Sequence, residues 1–194
     1  MTGLTIIVPT LGRPSLAATI QSIAGQIDWD DHVIVVTDGH RPLAHDIFER
    51  WYDEFPGWEF LELPPDGNWG HGLRNQVLDK LKPGIPVCTI DDDDVYEDGA
   101  LELIRTAACD KPVIFRMRFG RGHRADGLVV WQQPRLQLGD IGTPMIVAPV
   151  CGARFGLSYL GDFDYATALV AELGEPIWRD EVIAHIRPSA VEDT

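Results

Sequence analysis

The sequence predicts an α/β protein, a mostly parallel mixed sheet flanked by helices in a single domain. Three observations carry this expectation. The 194 residues match the length of one ordinary domain, enough to bury a core without disulfide or metal support. The first half alternates short continuous apolar runs with segments of helical periodicity, the pattern of parallel strands covered on both faces. The second half contains a glycine-rich hairpin signal, which makes the sheet mixed.

The elements follow in order. Leu4-Thr5-Ile6-Ile7-Val8-Pro9 reads as a buried strand closed by the loop Thr10-Leu11-Gly12-Arg13-Pro14. Ser15 is placed to cap a helix whose Leu16, Ile20 and Ile23 recur at helical spacing. His32 to Thr37 is a second apolar strand, ended by Asp38-Gly39, and Leu43 to Phe55 reads as helix. Trp58 to Leu63 alternates, as an edge strand does, and Pro64-Pro65-Asp66-Gly67 is a turn. The helix His71 to Leu81 stops at Lys82-Pro83-Gly84. Val87 to Ile90 is a short strand running into Asp91-Asp92-Asp93-Asp94, followed by a helix over Asp98 to Ala108. Val113 to Phe119 and Leu128 to Gln132 flank a long turn with Gly120, Gly122 and Gly127. Met145 to Val150 is apolar, Asp162 to Leu173 is a helix ended by Gly174, and Val182 to Ile186 is a last strand before the polar tail.

Composition narrows the function classes. The net charge of −14 repels phosphate on average, which disfavours non-specific binding to DNA or anionic membrane. Cys88, Cys109 and Cys151 are an odd number at wide spacing, neither a disulfide framework nor a zinc signature, and Cys88 reads as a reduced core residue. No apolar run approaches the ~18–20 residues of a membrane helix, and no basic residue precedes Leu4, so the expectation is a cytoplasmic protein without a membrane anchor.

In such a sheet, ligands bind beyond the carboxyl ends of the strands. Thr10, Arg13, Asp38 and the four aspartates sit at those ends and should converge on one crevice. Adjacent carboxylates repel one another, and hard oxygen ligands after a strand suit Mg²⁺ or Mn²⁺. Taken alone, Asp91 to Asp94 read equally as a solvated acidic loop. Arg116, Arg118, Arg121, His123 and Arg124 form a basic cluster in this acidic chain, with Arg116 and Arg118 on one strand face. The cluster reads either as a solvated hairpin or as the seat of an anionic acceptor.

The motifs occur in a fixed order: Pro9-Thr10-x-x-Arg13, Thr37-Asp38-Gly39, Asn68-x-Gly70-x-x-x-Arg74-Asn75, Asp91-x-Asp93, and Gly161-Asp162-Phe163-Asp164. This series resembles family 2 inverting glycosyltransferases of the GT-A fold over Leu4 to about Pro188. The resemblance implies a donor half, 1–108, an acceptor and catalytic half, 109–188, and a tail, 189–194. It implies transfer from a nucleotide diphosphate sugar, a UDP-sugar foremost, to a hydroxyl of a glycan, a protein or a modified DNA base, with Mn²⁺ or Mg²⁺. Compact members in bacteriophage genomes add a DNA base or a virion protein as acceptors.

Position by position, the resemblance implies that Pro9, Thr10 and Arg13 line the nucleoside pocket and that Asp38 accepts from the uracil imide N–H. Gly70 and Arg74 would lie near the nucleotide. Asp91 to Asp93 fall on the DxD signature, with Asp92 on the nucleotide side, Asp93 as the main metal ligand and Asp91 beside it. Asp162 matches the general base, although Gly161 stands where the family has Glu. Asp164 is the alternative base, and Asp162 has the competing reading of an N-cap. His185 reads as a structural residue or as a further metal ligand. His71 reads as a helix cap or as a group near the diphosphate. On the acceptor side stand Arg116, Arg118, Thr143 in Gly142-Thr143-Pro144-Met145, and Trp131 with Trp178 as stacking surfaces or core. Two other readings are a GT-A nucleotidyltransferase and a non-catalytic nucleotide-sugar-binding module.

Overall fold

The structure, a computed structural model, describes residues 3–52, 57–120 and 127–186. Arg121, His123, Arg124, Gly122, Phe55 and the tail with Arg187 and Pro188 lie outside these residues.

Strands β1 (Thr5–Thr10), β2 (His32–Asp38) and β3 (Trp58–Leu63) alternate with helices α1 (Leu16–Ala24), α2 (Pro42–Tyr52) and α3 (His71–Leu78). Then follow β4 (Pro86–Thr89), β5 (Asp94–Tyr96), α4 (Ala100–Ala107), β6 (Val113–Phe119) and β7 (Val129–Val130). A 3₁₀ turn, Thr143–Met145, leads into β8 (Ile146–Pro149), and α5 (Gly161–Leu173) and β9 (Ile177–Ile186) complete the described chain. The sheet runs β3-β2-β1-β4-β8-β6-β9-β5, with β7 paired to β6. β3, β2, β1 and β4 are parallel, and β8 joins β4 antiparallel, so the sheet is mixed as expected.

Every residue of β1 is buried, as are all but the first of β2, as for strands covered on both faces. β3 alternates and lies at the sheet edge. The chain leaves β1 towards β2 and returns through α3 to β4 on the other side of β1. That reversal between β1 and β4 opens a crevice at their carboxyl ends. At the opposite end of the sheet, Asp31 accepts from the Leu4 N–H at 2.8 Å and from Arg105 Nη2 at 2.6 Å, tying β1 to α4.

Several local expectations are corrected. Ser15 does not cap α1: its backbone is helical and its buried hydroxyl has no hydrogen-bond partner. The first-turn N–H groups of Leu16, Ala17 and Ala18 already reach the carbonyls of Arg13, Pro14 and Ser15. The acidic run is not all loop, because Asp94 begins β5, which pairs with β9. β9 is ten residues long and starts at Ile177. From Ile114 to Arg116 strand β6 advances two residues while β9 advances four, from Trp178 to Val182. Arg179, Asp180 and Glu181 therefore leave the ladder, which disguised the strand's first half.

Candidate active site

The expected convergence at the strand ends is present for Thr10, Arg13, Asp38 and the aspartates other than Asp94, which lines a second cavity instead. Pro9, Thr10, Arg13, Asp38, Gly70 and Asp91 to Asp93 line one cavity of about 340 Å³. Asp92 is its buried keystone. It accepts from Thr10 Oγ1 at 2.6 Å, from the Leu11 N–H at 3.0 Å and from Arg13 Nη1 at 3.1 Å. Burial pushes its carboxyl above the ordinary carboxylate range against those bonds. Asp92 thus fixes the β1–α1 loop, and its neighbours Asp91 and Asp93 are turned outward, with side chains 43% and 20% exposed. Arg13 also reaches Asp93, at 3.2 Å. Asp38 accepts from the backbone N–H groups of Asp66 and Gly67, which pins the turn forming the far wall. Each of its oxygens keeps acceptor capacity for a ligand.

Arg74 does not line the cavity; it is wholly buried behind it. Its Nε donates to Thr89 Oγ1 and its Nη1 to the Trp69 carbonyl, both at 3.0 Å. Its Nη2 pairs with Asp91. One guanidinium therefore orients the end of β4, the entry to α3 and the first aspartate of the acidic run. Gly70 permits this approach: it has φ 73°, and a Cβ there would lie 3.0 Å from Pro9 Cβ.

A second cavity, of about 270 Å³, adjoins the first, and both are lined by Trp69 and Asp91. Asp162, Thr143 and His71 face it. Asp162 is not an N-cap, because α5 begins one residue earlier with Leu160 in the cap position. Its Oδ1 accepts instead from the Thr143 hydroxyl. Burial pushes its carboxyl above the ordinary range, opposed by Arg74 and Thr143.

His71 is neither a side-chain cap nor a lining residue of the first cavity. Its ring stacks on Phe155 at 5.5 Å and 9°. Nδ1 lies 3.4 Å from Arg74 Nη1, which donates to it, and 3.8 Å from Asp162 Oδ1. A Cβ on Gly161 would come 2.3 Å from the Gly156 carbonyl oxygen and 2.5 Å from this ring. The Gly156 backbone and the imidazole together fill the space that a side chain before Asp162 would need, which accounts for glycine at 161. Burial and the Arg74 charge push His71 down to about 4, so it is neutral at pH 7. Its unfolded value is near 6.5, so neutrality in the fold favours folding above that pH, and the advantage is lost as pH falls towards 4. Wild type should therefore lose up to ~3 kcal/mol relative to His71→Phe between pH 7 and pH 4. Urea unfolding of both proteins across that range measures the difference.

Other expected site residues lie elsewhere. Met117 and Phe119 of β6 line the second cavity, and Arg116 and Arg118 do not. Arg116 pairs with Asp180 at 2.7 Å and lies 4.4 Å from the centre of the Trp131 ring, while Arg118 pairs with Glu97. Trp131 is core: it is buried, donates from Nε1 to the Phe115 carbonyl and meets Trp178 edge to face at 5.0 Å. His185 lines neither cavity and lies opposite Val95 in the ladder; the next residue, Ile186, is the one that lines the second cavity. Asp164 is exposed and lies against Gly156, outside both cavities. Among the lining residues that were not foreseen are Trp69 and Tyr159, both exposed aromatics in loops without periodicity to mark them.

The family model of Glycosyl transferase family 2 matches residues 5–154. The chain belongs to this family. No curated protein sequence matches it. Among solved structures it is similar to TarS 1-349 of S. aureus, with a TM-score of 0.76 and 15% identity over 95% of this chain and 60% of that one. The complex of TarS 1-349 with UDP-GlcNAc matches with a TM-score of 0.72 and 14% identity, over 94% of this chain and 58% of that one. The mannosyltransferase PcManGT of Pyrobaculum calidifontis, in complex with GDP-Man and Mn²⁺, matches with a TM-score of 0.68 and 18% identity, over 95% and 56%. The family 2 chain described here thus spans about 60% of the TarS 1-349 chain, and it shares the GT-A fold. Among the described residues, no helix is long and apolar enough to cross a membrane.

Proposed function

We propose that this chain transfers a sugar, with inversion, from a nucleotide diphosphate sugar to a hydroxyl acceptor. The observation that carries the reading is the junction of two cavities at Asp91 and Trp69, with Asp93 on one side and Asp162 on the other. Inversion needs a base and a leaving group on opposite faces of the anomeric carbon, and carboxylates in two adjoining cavities support that division of roles. On this reading residues 1–108 form the donor half and 109–188 the acceptor and catalytic half. Asp162 takes the proton of the acceptor hydroxyl, oriented by Thr143. Arg74 holds Asp91 in place, and Asp38 accepts the imide N–H of a uracil ring, which favours a UDP-sugar. The family 2 structures with UDP-GlcNAc and with GDP-Man and Mn²⁺ support a nucleotide-sugar donor.

The donor set fits Mn²⁺ or Mg²⁺. Asp91 and Asp93 are outward-turned carboxylates in the cavity, and such ions bind one or two carboxylates and complete their shell with phosphate oxygens. Asp93 and Asp91 would hold the ion, which would neutralise the charge developing on the diphosphate. Nucleotide-dependent stabilisation tests the reading. UDP with Mn²⁺ should raise the melting temperature well above UDP with EDTA, and Asp93→Ala should abolish the difference. Equal shifts with and without the metal would remove Asp91 and Asp93 from the donor site.

A further inference from the structure

We propose that the acceptor is a saccharide, held in the second cavity with the apolar face of one ring against Trp69 and Tyr159. The inference rests on the transfer reading above and names the class of acceptor.

Three observations carry it. Trp69 is 61% exposed and Tyr159 is 68% exposed, yet they meet edge to face at 6.1 Å at the mouth of the cavity. Large aromatics left in water beside a candidate catalytic carboxylate form an apolar platform awaiting a partner. Second, Trp69 is the one non-glycine residue with positive φ among those described, at 50°. A bulky residue in the left-handed region is unfavourable, and such backbone collects at ligand clamps. Here the turn aims the Trp69 carbonyl inward to Arg74 while the indole lies at the boundary of the two cavities. Third, the cavity carries Asp162 and Asp91, whose ionised carboxylates only accept hydrogen bonds.

The ligand that matches has O–H donors for the carboxylates and a C–H face for the aromatic platform, whose π-faces are negative and attract polarised C–H groups. A sugar ring has both. A ring stacked on Trp69 lies beside Asp162, so one of its hydroxyls is in place to lose its proton as the new glycosidic bond forms. The oxygen takes the anomeric carbon, the bond to the nucleotide diphosphate breaks, and the electron pair leaves with the diphosphate.

Saturation-transfer difference NMR on the protein with UDP and Mn²⁺ tests this. The probes are a panel of disaccharides of different linkage, thymidine and an N-acetyl-threonine amide. Saturation should pass to ring C–H protons of at least one disaccharide. The signal should fall at least fivefold in Trp69→Ala and in Tyr159→Ala, and persist in Trp69→Phe. Circular dichroism and the UDP isotherm check that each variant is folded and holds the donor product. If wild type binds UDP but no disaccharide receives saturation, or if thymidine or the threonine amide receives it instead, the saccharide inference is overturned and the transfer reading stands. A disaccharide signal unchanged in both alanine variants also overturns it. If wild type binds neither UDP nor GDP with Mn²⁺, both fall together.

Discussion

Asp162→Asn should lower turnover by about 100-fold or more while leaving nucleotide diphosphate affinity nearly unchanged. The substitution keeps the shape of the side chain and an oxygen to accept from the Thr143 hydroxyl, which now reaches Oδ1. It removes only the ability to take a proton. Asp164→Asn should be mild, because Asp164 is exposed and lines neither cavity. Because burial raises the Asp162 carboxyl, the acid limb of kcat/KM should fall above the ~4 of an ordinary carboxylate. The sign follows from the base having to be ionised: activity is lost as pH falls through that raised value. Steady-state kinetics of both variants, with donor titrated by calorimetry, decide the matter. If Asp164→Asn is the inactive variant, the base has been misplaced by two residues. If both variants keep full turnover, no carboxylate on α5 is the base.

The first cavity was legible in the sequence because strand ends obey a geometric rule. Continuous apolar runs identify parallel strands, parallel strands direct ligands to their carboxyl ends, and the residues there are the first ones after each run. Thr10, Asp38 and Asp91 to Asp93 needed nothing more. The lining of the second cavity was not legible for the same kind of reason. Alternation on β6 puts Arg116 and Arg118 on one face and Met117 and Phe119 on the other, but alternation does not say which face meets the cleft. The charged pair reads either as a solvated face or as the lining of the cleft, and the cavity takes Met117 and Phe119. The two arginines found Asp180 and Glu97, partners remote in sequence that only the fold brings near. His71 was obscured because its role depends on Gly161, ninety residues away, leaving room for the ring.

Arg74→Met should destabilise the fold by about 3 kcal/mol and weaken donor binding at the same time. Methionine approximates the volume of the buried stem, so packing on Phe155, 5.5 Å from the guanidinium, changes little. What is lost is the set of bonds that one buried cation makes to Thr89, the Trp69 carbonyl and Asp91. Thr89 is buried, and its hydroxyl loses this donor. The Trp69 carbonyl loses the bond that holds the chain in its left-handed turn, so the strain at that residue is no longer opposed. Asp91 loses its cation and is left beside Asp92, Asp93 and Asp162 in an acidic cleft, where like charges repel. For a chain of this size, 3 kcal/mol corresponds to a fall in Tm of about 6–12 °C. Added Mn²⁺ with UDP should recover part of that fall, because a divalent ion offsets the charge that Arg74 no longer balances. Calorimetric melting with and without the ion measures both effects. A Tm within 2 °C of wild type would mean that Asp91 and the Trp69 turn are held by other groups, and that Arg74 is packing alone.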